Sequence, residues 1–263
     1  MVSGTPQGLS KSLFERLREM VVHKPLPLEV VRLRNDAQKL VATDAVAAHQ
    51  ILGGLAALEF EVDAVRQHYR AALQLSNDAQ VHSNYAVSLQ FLGLYDEASE
   101  YALRAAHLEP ENLTYLRNAI DYLTYAGRIG EALRTCAELD KREPGGRSRE
   151  QEIVRELKLV MERTGVSEHE VHESFRLAFE LLRENKLRFD RIGSAIELAP
   201  NGGLAHFTIF VSEPVDRVRR LDFDLGARLA ERLDEMHSAS FVVDIGSTAI
   251  STNIDERRAS QVS

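Results

Sequence analysis

Apolar residues recur at helical spacing along most of the chain and change to alternation near its end. In residues 9–23, Leu9, Leu13, Leu17 and Met20 fall three or four apart, which predicts an amphipathic helix with Ser10 or Ser12 available as a cap. Pro25 and Pro27 break it, and Val30, Val31, Leu33, Ala37 and Leu40 predict a second helix over 28–42. Far downstream, Ile153, Leu157 and Val160 mark a helix over 149–163, and Val171, Phe175, Ala178, Phe179 and Leu182 mark another over 168–186. From Leu187 the period becomes two. Residues 189–198 and 204–212 alternate around the turn sequence 199–203 (APNGG) and predict a β-hairpin. A helix over 213–236 and a short strand over 241–245 follow, giving the order ββαβ and predicting a small sheet with a helix on one face.

Between these ends, residues 79–112 carry a denser pattern: Asn84, Tyr85-Ala86, Gly93, Tyr95-Asp96-Glu97-Ala98, Tyr101, Ala105, Leu108 and Pro110. In this register the segment resembles a tetratricopeptide repeat over its full 34-residue period. The resemblance implies two antiparallel helices packed closely at Ala86, Ala98 and Ala105. Gly93 would allow the turn, Tyr95 would fill the gap beside it, and Pro110 would end the second helix. Such a hairpin cannot bury its apolar face alone and stacks on neighbours.

Residues 113–144 continue the resemblance through Asn118, Gly127, Glu131, Ala132 and Pro144. Residues 45–78 have the length of a preceding repeat, with Leu52 or Gly53 at the close-packing position, Ala64 in the second helix, and Ala71 or Ala72 further along it. Glu59 stands where the turn glycine would be, and Ser76 or Asn77 where the closing proline would be, so two registers one residue apart are open. The expected fold class is therefore a TPR-like α-α superhelix followed by a small α+β module. The expected domains are a helical cap plus three repeats over 9–144, a helical extension over 147–186, the α+β module over 187–247 and a polar tail over 248–263. The extension, which follows the breaker cluster 143–148 (EPGGRS), either continues the superhelix or joins the module.

At 263 residues, 44% hydrophobic and 27% charged, the composition is that of a folded domain and excludes general disorder. No run approaches the roughly 18 apolar residues that span a bilayer, and the first residues lack the apolar core of a secretion signal, so the expected location is cytoplasmic. Cys136 is the single cysteine, which excludes an internal disulfide and a multi-cysteine zinc site. The net charge of −8 argues against general nucleic-acid binding. Residues 51–100 contain two basic and seven acidic side chains, a distribution that favours a basic partner for the early repeats.

Three stretches invite a chemical reading. Residues 160–175 have the spacing of a helix-turn-helix, but Glu168, Glu170 and Glu173 would meet phosphate repulsively, and Ser167 with Glu170 reads as a capping box. His169 and His172 lie on neighbouring positions of the same helix without a third metal ligand, which reads as a solvated face. His206 and Thr208 resemble one half of the paired His-x-Thr motif of the two-histidine phosphoesterases. A second copy on a strand is missing, so a structural or interface histidine is the expectation. No phosphate loop, metal site or cofactor fingerprint is indicated.

By resemblance, the first helix of each repeat lines a groove. The implied partner-binding positions are Gln80, Ser83, Val87, Gln90 and Phe91 in one repeat and Thr114, Arg117, Asp121, Thr124 and Tyr125 in the next. Val46, His49, Gly53, Ala56 and Ala57 are their counterparts in the first. Phe91 and Tyr125 are the expected aromatic anchors, or else pack between repeats. Arg117 is the lone cation of the set, which excludes the carboxylate clamp of chaperone-binding relatives. The expected function is a non-enzymatic adaptor that binds a protein or peptide. Two alternatives stand beside it: an immunity-like protein masking a basic partner, and an enzyme centred on His206.

Overall fold

The structure, a computed structural model, describes residues 6–23, 25–146, 148–200, 202–233 and 240–249. The expected tail over 248–263 lies outside these residues apart from Thr248 and Ala249, as do Asn201 of the hairpin turn and the end of the helix expected over 213–236. The chain divides into two compact units, Met1–Leu116 and Arg117–Ser263, and the division falls inside one helix.

The first unit holds α1 (Pro6–Val22), α2 (Pro27–Leu40), α3 (Ala45–Leu58), α4 (Val62–Leu75), α5 (Ala79–Phe91), α6 (Tyr95–Leu108) and the start of α7 (Leu113–Tyr125). α1 begins four residues before Ser10, so neither Ser10 nor Ser12 caps it. Ser10 instead donates to Asp44 Oδ2 at 2.6 Å, beside the N-terminus of α3, where Asp44 Oδ1 accepts the amide of Ala47. Leu13, Leu33, Ala37, Leu40, Ile51 and Leu55 form the core of this end. α1 also packs on α3 at Gly54, where an added Cβ would lie 2.5 Å from Leu17.

Helices α3, α5 and α7 begin at Ala45, Ala79 and Leu113, a spacing of 34 residues each time, which is the period of a TPR-like helical repeat. In the pair α5–α6, Ala86, Ala98 and Ala105 are buried at 1%, 0% and 0% exposure, so the helices approach through small side chains as the pattern predicts. Gly93 turns the chain at φ 69°, a conformation that glycine adopts without steric cost, and Tyr95 is buried beside it. In the pair α3–α4 the open register resolves one residue late. α3 is 14 residues long against 13 for α5, and the left-handed turn residue is Phe60 at φ 61°, not Glu59. Consistently, Gly53 takes the close-packing position beneath the Tyr69 ring. Val65 is buried where the pattern expects Ala64, and Ala72 is buried in preference to Ala71. Tyr69 stacks on Tyr85 at 4.6 Å between centroids, and Tyr85 meets Tyr101 at 4.2 Å, joining the two pairs through three rings.

The second unit holds the rest of α7, then α8 (Ile129–Arg142), α9 (Arg149–Thr164), α10 (Glu168–Glu184), β1 (Phe189–Ala199), β2 (Gly202–Val211), α11 (Val215–Arg232) and β3 (Phe241–Ser247). Ser148 and Gln151 form a capping box on α9, and Ser167 and Glu170 form the predicted one on α10. The sheet has the order β1-β2-β3, with β2 antiparallel to β1 and parallel to β3, which α11 connects. A one-residue irregularity at Asp190 shifts the β1 register. Ala205, Phe207, Ile209, Val211, Phe241, Val243 and Ile245 are buried on the inner face. Phe175 of α10 packs edge-on against Phe207 at 5.2 Å and against Tyr125 at 5.2 Å, so one aromatic cluster joins the sheet to the end of α7.

Candidate interaction surface

In the first unit, the buried side of α5 is formed by Val81, Tyr85, Ala86 and Leu89, which turns Gln80, Ser83 and Val87 outward on successive turns. Gln80 and Val87 are exposed, Val87 at 45%, and Ser83 is partly so. Gln90 is partly buried and donates to the Tyr95 hydroxyl at 3.3 Å. Phe91 is also partly buried and lies 6.2 Å from the ring of Phe60, so the non-glycine turn residue of the preceding pair is also the packing partner of the expected anchor. Thr114 at the start of α7 is exposed. Beside this face, Asn84 donates to Gln50 Oε1 at 2.7 Å, which fixes α5 against α3. The α5 face is uncharged: it offers two amides, a hydroxyl and an exposed valine.

On α3, Gly53, Ala56 and Ala57 are buried rather than displayed, and His49 faces His68 of α4, with the two Nδ1 atoms 3.2 Å apart. Burial first, then the neighbouring His49 and Arg34, pushes His68 below the usual histidine range. Of the seven carboxylates in residues 51–100, Glu97 pairs with Arg66 of the same stretch and Glu59 with Arg34 from outside it, so the second pair lowers the acidic excess by one.

The remaining four expected positions belong to the second unit and are engaged internally. Arg117 pairs with Glu143. Thr124, 2% exposed, donates to the carbonyl of Ile120, and Tyr125, 7% exposed, packs against Phe175 and Phe207. Tyr125 is thus part of the aromatic core, a role that a surface reading of the repeat pattern misses because the covering residues lie some 50 to 80 positions away. Asp121 is partly buried, and its carboxyl is pushed up to about 7, by burial first and by Glu150 second. A hydrogen bond from the Tyr125 hydroxyl opposes the shift.

One of the two helical histidines serves the fold. His172 Nδ1 donates to the carbonyl of Ala126 at 2.9 Å, capping the end of α7, while His169 is exposed. Glu168 accepts the amide of Gly130 at 2.7 Å, at the N-terminal end of α8 where a carboxylate is favourable. Cys136 is buried and its thiol is pushed up to about 11 by burial, the environment of a packing residue rather than a nucleophile.

On the outer face of the sheet, His206 Nε2 lies 2.8 Å from Asp244 Oδ2 and 3.4 Å from Thr208 Oγ1. Carboxylate and hydroxyl therefore meet the same ring nitrogen. A proton relay of the Ser-His-Asp kind needs them on opposite nitrogens, so this arrangement ties β2 to β3 instead. β3 supplies Asp244 beside Thr208 where a paired motif would need a second histidine. Phe210 lies across Gly193 and Gly246, where added Cβ atoms would be 2.9 and 2.6 Å from their nearest neighbours, and Arg191 stacks on its ring at 4.2 Å. Among the described residues there is no group of three or more metal-ligating side chains, and no helix is long and apolar enough to cross a membrane.

No protein-family model matches the chain, and no curated protein matches it. Among solved structures it is similar to one from work on the "Functional Characterization of Pseudomonas Aeruginosa pilF". That chain is 15% identical over 88% of this chain and 95% of its own, with a TM-score of 0.44. The TPR-like character is therefore read from this chain's own helix pairs and their 34-residue spacing.

Proposed function

We propose that the chain is a non-enzymatic adaptor that holds a protein segment against the outward face of α5. The observation that carries this is the uncharged stripe Gln80, Ser83 and Val87 on a helix whose other side is fixed by Tyr85, Ala86 and Leu89. Amides and a hydroxyl at helical spacing suit the main chain of an extended peptide, which carries donors and acceptors but no charge. The enzymatic reading is less well supported, because His206 spends the same nitrogen on Asp244 and Thr208. The reading of a mask for a basic partner loses two of its carboxylates to arginines.

The test is capture of partners by the full chain, compared with a Gln80→Ala/Val87→Glu variant. These are surface positions, so circular dichroism should be unchanged while the specific partner is lost, on the order of tenfold or more in affinity. Retention of every partner by the variant would refute the α5 assignment.

A further inference from the structure

The sheet ends in two edges of different kinds. The amide of Ala205 donates to the Ser240 carbonyl and that of Thr248 to the Val211 carbonyl, so the odd residues of β2 turn their main chain to β3 and the even ones to β1. By the same alternation the amide of Ile245 in β3 points off the sheet, and Asp222 of α11 accepts it at 3.0 Å. On β1, Arg191, Gly193, Ala195 and Glu197 bond to β2, which leaves the amides and carbonyls of Ile192, Ser194 and Ile196 on the outer edge. β1 has a strand on one side only, and nothing among the described residues caps these groups as Asp222 caps Ile245. The side chains of Ile192, Ser194 and Ile196 lie on the inner face and are only partly buried, whereas Arg191 and Glu197, both exposed, lie on the outer one.

We propose that this edge pairs with the same edge of a second copy of the chain, β1 antiparallel to β1 about a twofold axis through Ser194, which joins the two sheets. One register satisfies main chain, charge and packing together. Ser194 then faces Ser194, Ile192 faces Ile196 and Arg191 faces Glu197, and the symmetry repeats the last two contacts. Ile192, Ser194 and Ile196 exchange main-chain hydrogen bonds with their opposites, while Arg191 and Glu197 fall in a non-hydrogen-bonded pair, where opposed side chains are closest. Moving the axis to Gly193 or Ala195 sets Ile192 or Ile196 against Ser194 and leaves both charges opposite uncharged residues. Asp190, the remaining charge of β1, lies at the irregularity and accepts from the Thr248 hydroxyl, so regular pairing stops at Arg191. α9 packs on β1 and β2, and its exposed carboxylates Glu152 and Glu156 are carried to the same side of the joined sheet in both copies, where they oppose association. A strand pair is also a small interface, below about 1,200 Å², so the dimer is weak and concentration-dependent.

The test is sedimentation of the full chain from about 5 to 500 μM, where a monomer–dimer equilibrium is expected for the wild type. Ser194→Pro removes an amide that bonds nothing else among the described residues, so this variant should be monomeric throughout with an unchanged dichroism spectrum. Arg191→Glu and Glu197→Arg should each weaken self-association by roughly tenfold, because each sets two like-charge pairs in contact. Mixed in equal amounts, these two variants should associate within about threefold of wild type, since every pair across the mixed axis is again of opposite charge. Within one strand the two positions are about 20 Å apart, so such a recovery arises only between copies. A wild type that is monomeric over the whole range would overturn the proposal. So would a Ser194→Pro variant that still dimerises, or a mixture no stronger than its components.

Discussion

Asp121 illustrates how one partly buried carboxyl sets a pH dependence. Its ordinary value is 3.8, and in the folded chain it is pushed up to about 7 by burial, with Glu150 adding to the shift. Below about pH 4 the group is neutral whether the chain is folded or not. As pH rises toward 7 the unfolded chain releases the proton while the folded one keeps it, so stability falls over that interval and is level above it. Asp121→Asn keeps the shape without the ionisation. Urea unfolding at pH 4 and pH 8 should therefore show the variant gaining on the wild type at the higher pH, by on the order of a few kcal/mol. Parallel losses in both proteins would assign the pH dependence elsewhere.

Among the elements, the hairpin turns differ in what lies above them. Gly93 and Gly127 adopt left-handed φ values of 69° and 70°, but at Gly127 an added Cβ would lie 2.5 Å from the backbone nitrogen of His172. Gly93→Ala should cost about 1–2 kcal/mol from backbone conformation, and Gly127→Ala about 3 kcal/mol or more, since α10 must also shift. Equal losses in denaturant midpoint would contradict the close docking of α10. The contrast also marks where the sequence could be read. Both glycines, the small residues Ala86, Ala98 and Ala105, and the alternation of β2 were legible because each is a local rule. The turn at Phe60 was not, because a phenylalanine in a left-handed turn breaks the rule and is held by its contact with Phe91 and the rest of the pair. His172 reads as solvated in the sequence for a similar reason: its acceptor, the Ala126 carbonyl, is 46 residues away.

For the molecule as a whole, the boundary in space differs from the boundary in sequence. The breaker cluster 143–148 ends the recognisable repeats, yet the compact unit begins at Arg117 and contains α8, α9 and the sheet together. Phe175 is the physical reason. Its ring, fully buried, lies 5.2 Å from Tyr125, 5.2 Å from Phe207, 6.1 Å from Phe241 and 6.2 Å from Phe179, so the end of α7 and the strands β2 and β3 share one core. Gln151 and Arg155 of α9 bind Asp140 of α8 across the breaker at 2.9 and 2.6 Å, and bridge the same junction. A fragment of residues 147–249 would expose the side of Phe175 that Tyr125 covers, together with the face of α9 that meets α8. It should lack a cooperative thermal transition, whereas residues 113–249 should show one. In the full chain, Phe175→Ala should cost about 3–5 kcal/mol, and near-ultraviolet signals from Tyr125 and amide protection in β2 should be lost together. A 147–249 fragment that melts cooperatively alone would make the sheet an independent domain and return the boundary to the breaker cluster.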